Sequence, residues 1–512
     1  MAPSDSRLLA SIALTRFGLG AKPGEIDTVA RDAQAWLDGQ IRTTGAPQPA
    51  GEFPNSSERV LQYAGYRDAA SNARQIRRQD APATPAAASA SAPAAMAPAM
   101  GMESTENSQA QAAFDARRME RRNLVQDTAQ EFLARAQLGA TTPDGFAERW
   151  ALFWINALTV SAVKFPSAVL IGQYEREAIR PHVFGPFADL LVAAEQHPAM
   201  LLYLDQAQSI GPNSTAGQRR SAGLNENLAR EILELHTVGA EGGYTQTDVT
   251  EFARALTGWS LEGQAGNRAG SRGRQNRRPN ARRAALVADQ PGQNGFAFRP
   301  ILHEPGARTV MGRHHSEGGE EQGEAILRDL ATRPQTAKRL ARRIAVHFVA
   351  DDPPPALVAA LEKAWLSSNG RLDVVARALI AAPEAWAPAP AKVKTPYDFV
   401  VSTHRALGTT PQRPQGVQPP LIAMGQPAFS APSPEGWPDT AADWAGPDAL
   451  VKRLEWASTV ADVARDQREP VQIAEAALGA RLSDRTRTAV SRAESRPEAL
   501  TLFLMSPEFQ RR

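Results

Sequence analysis

Between Gly223 and Gly239 the chain holds Asn225, Glu226, Asn227, Arg230, Glu231, Glu234 and His236 among leucines, alanines and an isoleucine. On a helix advancing about 100° per residue, the Asn, Glu and Arg side chains share one arc and the apolar residues fill the other. Glu226, Arg230 and Glu234 form an i, i+4, i+8 ladder. Two readings follow. A solvated ladder would add only about 0.3–0.5 kcal/mol per pair. A polar face turned into a cleft would let Arg230 hold an anionic group while Glu226, Glu234 or the nearby Asp248 acts as acid or base. His236 falls on the apolar face, where a histidine is expected to be a hydrogen-bonded core residue.

Downstream, Gly242-Gly243 permits a tight turn, and Thr245 or Thr247 is placed to cap a helix carrying Asp248, Glu251 and Arg254. That helix ends at Gly258-Trp259, so Trp259 reads as a packing anchor or a pocket wall. His303-Glu304 and His314-His315 bring histidine and carboxylate close together, but no strict ligand spacing occurs. His303 is the candidate ligand for a divalent metal, and the cofactor is otherwise open. His347 reads as structural. The segment from Gln426 to Asp439 contains Pro432, Pro434, Gly436, Trp437 and Pro438. A loop so restrained suits either a binding wall, with Gln426, Trp437 and Asp439 as contacts, or a clamp for the C-terminal helices. Asn225, His236 and Trp259 complete the candidate binding residues.

These residues need a scaffold, and composition bounds it. The chain has 512 residues, 42% hydrophobic, a formal net charge of +2 and no cysteine. Disulfides, thiolate metal sites and a cysteine nucleophile are thereby excluded. The near-neutral balance argues against a dedicated nucleic-acid binder. No run approaches the roughly 18–20 apolar residues that cross a bilayer. No nucleophile elbow, Walker loop or dinucleotide fingerprint occurs. The start shows no basic leader with a long apolar run, so cytoplasmic residence is expected.

Helical patterns dominate, as at 142–157, 334–349, 353–367 and 394–407, and strand-like alternation is confined to Phe296–Phe298 and Thr309–Met311. The expected fold is mainly α: a large helical body with short or no β hairpins and two flexible insertions. Residues 81–102 hold eleven alanines and four prolines, and 264–283 hold seven arginines without an acid. The division is then a helical part over 1–80, an Ala/Pro-rich insertion over 81–112 and a central helical part over 113–261. An Arg/Gly-rich loop over 262–295 and a C-terminal helical part over 296–512 follow, all within one family-wide domain.

Several stretches taken together resemble the bacterial domain-of-unknown-function 1800 family. They are Arg16 to Gly20, Glu148 to Asn156, His197 to Asp205, Asn225 to Gly239, Gly243 to Trp259, His303 to Gly312, Leu340 to Pro354, Lys394 to Gly408, Gly425 to Asp439 and Ser506 to Phe509. The resemblance implies a largely helical fold and no established activity. Similar proteins commonly carry His after the Asn of the Phe-Trp motif, where this chain has Ala157. Members are often encoded beside an exported family resembling phosphatases and sulfatases. The resemblance therefore implies a non-catalytic or accessory envelope protein acting with such a partner, with co-export to the periplasm as its route. The alternative is a hydrolase with a carboxylate/Arg/His cleft built from the Asn225–His236 helix, His303 and the Gln426–Asp439 loop. Oligomeric state is left open.

Overall fold

A computed structural model describes residues 3–80, 103–219, 223–262, 289–464 and 468–512. The expected insertion at 81–102 and the arginine tract at 264–283 lie outside these residues. The helix Glu103–Thr141 reaches into the stretch assigned to the first insertion. The strand Gln290–Pro291 likewise falls inside the stretch assigned to the second.

The protein is mainly α. Helices start where the sequence supplies caps or proline. Pro396–Leu407 has the Thr395 hydroxyl accepting from the Asp398 N–H, Pro at its first turn and a left-handed Gly408 at its end. Pro334–Phe348 puts Leu340, Ala341, Ile344 and Phe348 on its buried face and leaves Arg342 exposed. Glu25–Val29 and Ala33–Asp38 are two separate short helices, because Asp32 caps a second start.

The strands form two small antiparallel sheets. In the first, Phe296–Phe298 lies between Trp259–Leu261 and Gln290–Pro291. The second pairs Arg308–Val310 with Arg313–His315, and the turn uses left-handed Met311 and Gly312. One connected hydrophobic cluster extends from Ala10 to Phe509. Buried ion pairs fasten distant segments to it: Arg180 grips both oxygens of Glu148 at 2.6 and 2.9 Å, and Arg59 reaches Glu131 at 3.1 Å. Among the described residues no helix is long and apolar enough to cross a membrane.

Two helices near the candidate residues widen into π turns, Glu175–Ile179 and Ile232–His236. Such turns break the regular hydrogen-bond ladder and turn side chains off the regular spacing.

Candidate functional site

A cavity of about 110 Å³ opens where several helices and a loop converge. Phe132 and Arg135 come from Glu103–Thr141, Arg149 and Asn156 from Gly145–Ala157, His347 from Pro334–Phe348, and Tyr397 and Asp398 from the start of Pro396–Leu407. Gln426, Phe429, Trp437 and Asp439 come from the proline-rich loop. The space is below the roughly 300–1,000 Å³ of pockets for drug-sized ligands, so it suits a small molecule or a head group.

The loop is held in place by backbone contacts. Asn156 donates to the Trp437 carbonyl at 2.9 Å and accepts from the Trp437 N–H at 2.7 Å. Gly436 makes this approach possible: it sits at φ +93°, and a Cβ there would lie 2.4 Å from the Asn156 carbonyl oxygen. Lys392 bonds to the Asp439 carbonyl and to Asp351, and Gln426 accepts from the Tyr397 N–H at 2.8 Å. Phe429 sits at φ +57°, a costly conformation for a bulky residue, and its ring meets Phe132 edge-on at 5.0 Å.

His347 is 8% exposed, with Nδ1 2.9 Å from Asp439 Oδ1. Nε2 has no partner. Burial pushes the His347 pKa below its ordinary value, with Asp439 opposing. For Asp439, burial alone would raise the pKa, but His347, Arg512 and Lys392 override it and hold the carboxyl well below the usual range. An ionised Asp439 accepts from Nδ1–H, so the neutral ring carries its lone pair on Nε2.

Two arginines complete the walls. Arg149 gives both Nη atoms to Asp398, at 3.1 and 3.2 Å, and Nε to the Gly18 carbonyl. Burial would raise the Asp398 pKa, yet Arg149 and Arg512 bring it down to about 2. Arg135 donates to Glu175 at 2.6 Å, and its guanidinium lies 4.6, 4.8 and 5.0 Å from the Phe132, Tyr397 and Phe429 ring centres.

Of the residues singled out from sequence, Gln426, Trp437 and Asp439 line this cavity. The others lie elsewhere. Glu226, Arg230 and Glu234 form a partly exposed network. Glu226 accepts from Thr250, Gln246 and Arg230, and Tyr244 donates to Glu234 at 2.5 Å. Asp248 completes the capping box with Thr245 and accepts from the Met311 N–H, which ties a helix start to a hairpin. Asn225 accepts from the Asn227 N–H and donates to the Leu204 carbonyl. His236 is 1% exposed and pairs with Glu195 at 2.7 Å. Trp259 is 1% exposed and packs edge-on against Phe296. Both His303 nitrogens meet carbonyl oxygens, of Thr257 and Gly318, each at 2.8 Å, so neither is free for a metal. Among the described residues no group of three or more His, Asp or Glu is placed to hold a metal ion.

Ser56, His197 and Glu177 also meet, but the order is unsuited to activating the serine. His197 Nδ1 accepts from the Ala199 N–H, so Nε2 bears the proton that faces Ser56 Oγ at 2.8 Å. Ala157 is 2% exposed and packs in the core instead of lining the cavity.

Sequence reading missed His347, Arg149, Asp398, Arg135 and Glu175 as a group. Their partners are far away in sequence, and the available signal was that Glu148 to Asn156, Leu340 to Pro354 and Lys394 to Gly408 recur as motif stretches.

Fold and cavity together define a mainly helical protein with a carboxylate-supported histidine beside two ion-paired arginines. The chain belongs to the family described as protein of unknown function (DUF1800), whose model matches residues 12–511. No curated protein and no solved structure matches it.

Proposed function

We propose that the chain is a hydrolase whose centre is the cavity at His347 and Asp439. The observation that carries the reading is the unpartnered Nε2 of a cavity-lining histidine whose Nδ1 is held by a carboxylate. In this scheme Nε2 takes a proton from water as the water oxygen attacks an ester carbon or phosphorus. The imidazolium is stabilised by Asp439, and Nε2–H then returns the proton to the departing oxygen. Asn156 and Lys392 are positioning residues, because they fix the backbone that carries Asp439.

The test is turnover of p-nitrophenyl acetate, phosphate and sulfate by the full chain and by His347→Gln. The expected result is hydrolysis of at least one ester, lowered about 10²–10⁴-fold in the variant with its circular dichroism unchanged. Turnover of none, or equal turnover by both proteins, overturns the reading.

A second reading is an accessory envelope protein acting in complex with an exported phosphatase- or sulfatase-like partner and carried with it to the periplasm. It is favoured by Leu450, Val451 and Leu454, which are 42%, 53% and 46% exposed on the helix Pro447–Val463. Purification of tagged chain from separated cell fractions tests it. A stoichiometric phosphatase-like partner in the periplasmic fraction supports it, and a solitary chain in every fraction sinks it.

A further inference from the structure

The charged side chains that line the cavity are matched to one another. Arg135 holds Glu175 at 2.6 Å, and Arg149 holds both oxygens of Asp398 at 3.1 and 3.2 Å. Asp439 holds His347 Nδ1, with Arg512 and Lys392 acting on it from outside the lining. Three carboxylates stand against two arginines. Among the described residues of the lining, no arginine or lysine is therefore left to receive an anion.

Uncharged polar groups are engaged too. The Tyr174 hydroxyl donates to the Leu158 carbonyl at 2.5 Å, and the Thr159 hydroxyl to the Asn156 carbonyl at 2.6 Å. The Asn156 side chain serves the Trp437 backbone, and the Gln426 oxygen serves the Tyr397 N–H. Phe132, Val160 and Phe429 add buried apolar walls. On the helix Gly145–Ala157, Leu152 and Ile155 also line the cavity and are half-buried, unlike most of their apolar neighbours. His347 Nε2 is buried beside these walls without a partner.

We propose that the cavity takes the short aliphatic acyl chain of an uncharged carboxylic ester. This rests on the reading of His347 as the hydrolytic base and names its substrate class. A phosphate or sulfate monoester would bring a full negative charge into an enclosed space that offers it no free cation, which is costly. An apolar chain costs nothing of that kind and gains by leaving water. An apolar cavity of about 150 Å³ holds benzene, so about 110 Å³ suits an acyl chain of roughly two to four carbons, with the rest of the ester outside. The water oxygen bonds to the acyl carbon as Nε2 takes a proton from it. The bond from that carbon to the alcohol oxygen then breaks, and Nε2–H passes the proton to that oxygen. The products are an alcohol and a carboxylic acid. The acid ionises in water, and the matched arginines give the lining no means of retaining the anion.

Saturation-transfer NMR of the full chain at pH 7 tests this with ethyl acetate, ethyl butyrate, ethyl hexanoate, sodium butyrate and inorganic phosphate. Ethyl butyrate should bind at least about tenfold more tightly than butyrate or phosphate. In Ile155→Ala the preference should move toward ethyl hexanoate, by about tenfold relative to ethyl butyrate. Leu152→Ala serves if that variant does not fold. Butyrate or phosphate binding as tightly as the ester overturns the proposal. So does an unchanged chain preference in a folded variant, or binding of no ester. The proposed hydrolysis is judged separately. Esters bound as expected but not turned over by the parent chain remove the hydrolase and keep the acyl site. Turnover of p-nitrophenyl phosphate that is lost in His347→Gln keeps the hydrolase and removes the acyl site.

Discussion

His347 Nδ1 lies 2.9 Å from Asp439 Oδ1, although 92 positions separate the two residues. The helix that carries His347 also carries Arg343, which contacts the Glu435 carbonyl, so one helix fixes both the ring and the loop facing it. Asp439 supports the protonated ring and burial opposes it, with burial the larger effect. In Asp439→Asn the lowering influences of burial, Arg512 and Arg149 are left unopposed, and the His347 pKa should fall further below 6.5. An NMR titration of ¹⁵N-labelled histidine measures this. An unchanged or higher value in the variant would show that the pair does not form in solution.

Acid should destabilise the fold through its buried histidines, against the smaller opposite effect of Glu131, Glu231 and Glu320, whose pKa values burial raises. His182, His197, His315, His347 and His404 are all lowered, His404 to about 4. A histidine depressed in the folded state binds its proton more readily when unfolded. Its contribution is complete above about pH 6.5 and is lost as pH falls toward the folded value. The urea midpoint should therefore drop between pH 7 and pH 5, with the slope of the transition unchanged. A midpoint constant over that interval contradicts the burial of these rings.

Glu148→Leu should cost about 3–5 kcal/mol, because it leaves Arg180 charged and fully enclosed. Adding Arg180→Met should recover much of that loss, since an apolar pair of similar volume removes the stranded charge. Chemical denaturation of the single and double variants forms the test, and strictly additive losses would disprove the pairing.

At Gly436 a methyl group would meet the Asn156 carbonyl and side-chain oxygens and Thr159 Oγ1, all within 2.8 Å. Gly436→Ala should cost about 1–3 kcal/mol and detach the Trp437 backbone from Asn156. The expected readouts are a lower melting temperature and faster proteolytic cleavage between residues 430 and 440. A variant as stable and as resistant as the parent would show that this loop is not anchored through Asn156.

Arg230→Ala separates the two possible clefts. Arg230, Glu226 and Glu234 side chains are 37%, 30% and 32% exposed, so solvent screens their attraction. The expected stability change is within about 1 kcal/mol, and ester turnover should be unchanged. Loss of turnover in a folded Arg230→Ala protein would move the active site to the Asn225–His236 helix.

The sequence by itself determined what local rules control. Apolar spacing, Pro and Thr starts and glycine ends marked the helices at Pro334–Phe348 and Pro396–Leu407. The density of short motifs marked the family, and proline and glycine marked Gln426–Asp439 as a rigid loop. His236 was legible as a core residue because its neighbours one turn away are apolar. Only the tertiary structure decided which polar residues meet. Arg149 and Asp398 are 249 positions apart, and Arg135 and Glu175 belong to different helices. No periodicity encodes such pairs, because each is set by how whole helices cross around the core. The Glu226–Arg230–Glu234 ladder showed the opposite case: it had the strongest local pattern, yet it joins its own helix to the next at the surface. His347 looked ordinary in sequence, and it is singled out by a loop that the packing of the chain brings to its side.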